Sequence, residues 1–157
     1  GRPRYAARAC PGDHNVVFGA FASARELHRG HRETFVYVPC AHGTAGLVVF
    51  GGSRPSFHRV WTASANDPNG PPLVAGGLVW ALSTGADGGS ESNLLSGMSP
   101  TSGRVLVTKA LGDIGVVNLS TPAAAGGRLF VAGAHGVAAF GPGAEHPGQA
   151  AGRQSGG

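Results

Sequence analysis

The sequence predicts an all-β fold, built as an open arc of repeated four-stranded antiparallel sheets rather than a closed ring. Three observations predict it. First, one phrase recurs: "FVYVPCAHGTAGLVVF" (Phe35–Phe50), "PPLVAGGLVWAL" (Pro71–Leu82) and "TPAAAGGRLFVAGAHGVAAF" (Thr121–Phe140). Aligned on Tyr37, Trp80 and Phe130, the copies lie roughly 40–50 residues apart, a spacing of helical pairs or of sheet-built repeats. Second, the apolar runs ("FVYV", "LVVF", "LVWAL", "RVLVT", "RLFVA") are short, β-branched or aromatic, and bounded by Gly, Pro, Ser or Asp. Third, no window of helical length carries an i, i+3, i+4, i+7 stripe free of Gly and Pro. Sheets of this kind stacked around an axis form the blades of a β-propeller, here a partial one.

The elements follow in order. Residues 1–26 read as the end of a preceding blade or an N-terminal extension, with "NVVFGAF" as one of its strands. Within "ASARELHRGH" (Ala22–His31) the spacing allows one or two helical turns, stopped by Gly30. Residues 27–142 divide into about three blades: 27–63, 64–111 and 112–142. The last stops after its third strand. Residues 143–157, Gly-rich and without an apolar cluster, read as a disordered tail.

Inside a unit each residue type has a task. Pro72 or Pro122 opens the first strand, where a missing N–H costs least. Gly76–Gly77 and Gly126–Gly127 supply the positive φ of a tight hairpin. The aromatic strand sets Tyr37, Trp80 or Phe130 between neighbouring sheets. The turn Ser99–Gly103 leads into an outer strand, Arg104–Thr108.

Composition narrows the function. The 157 residues carry a formal charge of +4, nearly all of it arginine, and Lys109 is the single lysine. The basic residues are scattered along the chain, whereas a nucleic-acid footprint concentrates them, so a solvated basic surface is expected and no nucleic-acid partner. The Arg-over-Lys, Ala- and Gly-rich composition is also what a GC-rich genome produces. No apolar run reaches the length of a membrane span, so none is expected. A chain that opens on Gly1 and holds only Met98 reads as a processed product or fragment.

Chemistry-bearing groups are sparse. His28 and His31, with Glu26 and Glu33 nearby, are the nearest approach to a zinc set, but nothing completes a tetrahedron, and no metal site is predicted. His42 and His135 hold equivalent places before a glycine turn, where a turn hydrogen bond is expected. "STGADGGSESN" (Ser83–Asn93) is oxygen-rich without calcium-loop spacing and reads as a solvated loop. Cys10 and Cys40 either form a disulfide, if the segment before Leu27 lies beside the first blade of an exported protein, or remain two buried thiols. No nucleophile elbow, phosphate loop or zinc-protease helix is present, and no catalytic residue is predicted.

The motifs resemble the pyrroloquinoline-quinone-type, or quinoprotein-like, propeller repeat "SPxVxGGxVYxxxxxGxLxALDxxTGxxLW". "GPPLVAGGLVWAL" with "NLLSGMSPTSGRVLVT" is similar to one such blade, with Ser102–Gly103 in place of the Thr-Gly turn and Val107 where the family has its docking tryptophan. Trp61, in "FHRVWTA", is similar to that tryptophan. The resemblance covers about Leu27–Phe140. It implies a non-catalytic scaffold that presents loops and sheet edges to a protein partner or to the remaining blades of a larger propeller, in the periplasm, on the cell surface or secreted. No cofactor is expected of it. One alternative is the C-terminal part of a quinone-dependent dehydrogenase, which implies the quinone and calcium. Another is a kelch-like interaction propeller, suggested by "LVVFGG" followed by Trp61.

Overall fold

A computed structural model of the chain describes residues 8–12, 19–66, 68–83, 93–115 and 120–141. The described residues are all-β, apart from a single 3-10 turn at Gly112–Ile114. Eleven strands form three antiparallel sheets, each an up-and-down meander with its strands in chain order. The first holds β1 (Ala22–His28), β2 (His31–Cys40), β3 (Gly43–Phe50) and β4 (Ser56–Ala63). The second holds β5 (Leu73–Ala75), β6 (Leu78–Ser83), β7 (Leu94–Met98) and β8 (Val105–Ala110). The third holds β9 (Ala123–Ala125), β10 (Arg128–Ala132) and β11 (Val137–Phe140). None of the three closes on itself.

One expectation is corrected at the start of the chain. Ala22–His28 is a strand, not a helical turn, and the boundary drawn at residue 27 falls inside it. Its side chains alternate between half-buried and exposed at every position, a period of two that only an extended backbone satisfies. Gly30, expected to stop a helical turn, is instead half of a hairpin turn: Arg29 (φ 51°) and Gly30 (φ 82°) both take positive φ. The later hairpins do this with Gly76–Gly77 (58° and 75°) and Gly126–Gly127 (55° and 71°). Positive φ at both central positions matches the right-handed twist of the flanking strands. The segment "NVVFGAF" lies largely, and the tail after Gly141 wholly, outside the described residues.

The first two sheets share one cross-strand row. In the first, Tyr37, Gly46 and Trp61 stand side by side on β2, β3 and β4. In the second, Trp80, Gly97 and Val107 do so on β6, β7 and β8. A register shift follows the glycine in both, between Gly46 and Leu47 and between Gly97 and Met98. It leaves Val60 and Leu106 as the extra, exposed residues. In the third sheet Phe130 pairs with Ala123 and Ala139, in the same row.

The core is layered between sheets. Phe35, Tyr37, Val48, Trp61 and Ala63 of the first sheet pack with Val79, Ala81 and Met98 of the second. Leu82, Leu95 and Leu111 pack with Val131, and Trp80, Leu129 and Phe140 flank them. The opposite face of the first sheet (Val38, Ala45, Leu47, with Val36 and Phe57 beside them) is covered by Ala9 and Cys10. Cys10 and Cys40 form a disulfide. The covering segment runs across a face of the sheet, and the strand that edges β2 is β1.

Candidate functional site

The two inter-sheet layers differ in how they close. In the first, the Trp61 indole lies over Gly46, where a β-carbon would collide with the ring. It also rests on Gly103, in the Ser99–Gly103 turn of the next sheet, and its Nε1–H donates to the Pro100 carbonyl oxygen at 2.9 Å. Tyr37 stacks on it with ring centroids 5.9 Å apart, and Phe35 stacks on Tyr37 at 6.1 Å. The link between the sheets is anchored as well. Thr44 Oγ1 donates to the Pro68 carbonyl at 2.5 Å, Asn69 Nδ2 to the Ala41 carbonyl at 3.4 Å, and the Gly70 N–H to the Leu82 carbonyl at 2.8 Å.

The second layer has no equivalent of Trp61. Val107 occupies its register position and sends no ring towards the third sheet. Trp80 instead turns over Gly97, where a β-carbon would come within 2.8 Å of its six-membered ring. Its Nε1–H donates to the Ala75 carbonyl oxygen at 3.0 Å. The indole is thus pinned at both ends, and its remaining surface faces a gap. A half-open cleft of about 530 Å³ lies there, within the usual size of small-molecule sites. Trp80, Leu95, Leu129 and Phe140 form its apolar floor, and the β9–β10 hairpin turn forms a wall. Lys109 and Arg128 stand at the cleft as its only charged groups among the described residues. Residues directly opposite on paired strands share a face, and Lys109 pairs with Leu95, so its aliphatic stem starts from the cleft side of β8. Neither cation makes an ion pair among the described residues.

Other candidates are placed as follows. His28 and His31 face each other across β1 and β2, and His28 Nδ1 sits 2.6 Å from a Glu33 carboxylate oxygen. Among the described residues no group of three or more His, Cys, Asp or Glu could hold a metal ion. His42 and His135 sit exposed in the turns after β2 and β10. The His135 backbone N–H donates to the Ile114 carbonyl at 2.9 Å, while its ring lies against Gly115. Most of the oxygen-rich loop Ser83–Asn93 lies outside the described residues. Phe130 stands on the face of the third sheet turned away from the second, opposite to Leu129 and Val131. No described helix is long and apolar enough to cross a membrane.

Among the described residues Tyr37 is the one side chain with a marked shift in proton affinity. Burial chiefly, and the nearby Glu26 carboxylate in addition, hold its hydroxyl proton far above the ordinary phenol range. That hydroxyl is buried without a hydrogen-bond partner among the described residues, as is Ser96 Oγ. The pairing of Ser96 with Ala81 turns it towards the same layer.

The cleft itself was not legible in the sequence. Its floor comes from two strands of one sheet and two of the next. The one available signal was Val107 in a position where the preceding unit has Trp61. No protein-family model matches the chain, and a search of curated proteins finds no significant match.

Proposed function

We propose that the chain is a non-catalytic β-propeller scaffold of the quinoprotein-like repeat kind, whose sheets are consecutive blades and whose loops and sheet edges are presented to a protein partner or to further blades. One observation carries this reading. Tyr37, Trp80 and Phe130 share a register position, and Tyr37 and Trp80 are each packed towards a following sheet, whereas Phe130 faces outwards. Around it Ala123, Ala132, Val137 and Ala139 are exposed, Val137 at 67%. An apolar sheet face in that position is a surface for association.

Light scattering on the full chain across a range of concentrations tests it. Self-association that Phe130→Arg abolishes is expected. A chain that stays monomeric at every concentration, with or without the substitution, overturns the proposal. Titration with the quinone plus calcium separates the scaffold from the dehydrogenase reading: saturable binding would favour the enzyme.

A further inference from the structure

We infer that the cleft between the second and third sheets is a binding site for a small amphipathic anion, a flat apolar body ending in a carboxylate or sulfonate. The apolar half of that specificity comes from Trp80, Leu95, Leu129 and Phe140. The Trp80 indole is a rigid platform rather than an adaptable one. Its N–H is already engaged by Ala75 and its six-membered ring is held over Gly97, so it offers carbon surface and no free donor. A fixed aromatic face favours flat ligands, which stack on it at little conformational cost. The charged half comes from Lys109 on β8, with no carboxylate in the lining to compensate it; Arg128 stands at the rim, on the face of β10 that Phe130 shares. A cation beside an apolar floor fits one acidic head group anchored at the mouth while its body lies inside. An apolar cavity with a few convergent polar groups is the usual form of a small-molecule site. A cationic ligand would meet a like charge, and a neutral one would leave it unused.

Two probes of nearly the same shape test this: 8-anilinonaphthalene-1-sulfonate, which carries the anionic head, and N-phenyl-1-naphthylamine, which lacks it. Fluorescence titration of the full chain is expected to give one saturable sulfonate site per chain, with energy transfer from tryptophan. Lys109→Met and Arg128→Met keep much of the side-chain volume and lie at the surface, so the fold is expected to survive them. Lys109→Met is expected to weaken sulfonate binding ~2–5-fold, the range of half-exposed ion pairs, and Arg128→Met, whose stem leaves from the other face of β10, less than ~2-fold. Binding of the neutral amine is expected to change less than ~2-fold. Raising the salt concentration, which needs no variant, is expected to weaken the sulfonate and spare the amine. Equal responses of the two probes, or several weak sites per chain, would overturn the inference. So would loss of the sulfonate site on self-association, which would mean that a second copy covers the cleft. Association through the Phe130 face leaves the cleft free, so failure of the scaffold reading and failure of the ligand site are separately visible.

Discussion

The indole N–H of Trp61 donates to the carbonyl oxygen of Pro100 across 2.9 Å, and that contact ties the last strand of the first sheet to the β7–β8 turn of the second. Both groups belong to chain regions with no local reason to meet. The indole also fills the space above Gly46 and against Gly103, so one side chain closes the layer between the two sheets.

Trp61→Phe removes the donor and part of the ring. The Pro100 carbonyl loses its partner and the layer loses apolar contact. Chemical denaturation is expected to show a loss of about 2–3 kcal/mol, made of a buried hydrogen bond and the missing ring area. Val107 lies in the same row of the second sheet but against no such ring. Val107→Ala is expected to cost less, about 1 kcal/mol.

The two row glycines respond unequally. A β-carbon at Gly46 enters the Trp61 ring, which is only 7% exposed and has nowhere to move. A β-carbon at Gly97 meets the edge of Trp80 at 2.8 Å, and that ring borders the open cleft, so it can yield. Gly46→Ala is expected to destabilise by about 3 kcal/mol and Gly97→Ala by about 1, within the usual range of overpacking. Thermal unfolding of the two variants side by side gives the order. The reverse order would mean that the cleft does not relieve Trp80.

The Cys10–Cys40 disulfide pins residues 8–12 over the outer face of the first sheet. Its sequence separation of 30 gives a loop-closure contribution of about 3–4 kcal/mol in the chain-entropy picture. Reduction, or the Cys10→Ser, Cys40→Ser double variant, is expected to lower the denaturation midpoint accordingly and to expose Val36, Leu47 and Phe57. An unchanged midpoint with and without reductant would show that the covering segment adds nothing.

Tyr37 sets an alkaline limit. Its hydroxyl loses its proton far more reluctantly in the fold than in the unfolded chain, whose phenol titrates near 10. Above that pH the folded state therefore holds more protons than the unfolded one, and stability falls as pH rises. Below about pH 10 the contribution is constant. Tyr37→Phe removes the dependence and a buried hydroxyl without a described partner. The variant is expected to match or exceed the parent by up to about 1 kcal/mol at neutral pH, and to show a flatter stability profile above pH 10.

Much of this architecture was legible in the sequence, and the misses have physical causes. Aligning Tyr37, Trp80 and Phe130 put them in one row because a repeated phrase repeats its strand register. The Gly76–Gly77 and Gly126–Gly127 turns were readable because two adjacent positive-φ positions nearly demand glycine. The first hairpin escaped because Arg29 takes the left-handed position held by glycine elsewhere, and because its strands run on past β3. The pattern "ASARELHRGH" mixes small and charged residues, so its period of two shows only against the partner strand. The cleft escaped for a different reason. Lys109 and Arg128 are far apart in sequence, and only the pairing of Lys109 with Leu95 reveals which face the lysine leaves from.

The stacking of the first sheet on the second is tested most directly by proton NMR of Trp61. Nuclear Overhauser contacts from its ring to the α-protons of Gly103, with those protons shifted upfield by the indole and the Trp61 indole N–H protected from exchange, are expected. A freely exchanging indole N–H with no contact to Pro100 or Gly103 would contradict the stacked arrangement on which the scaffold depends.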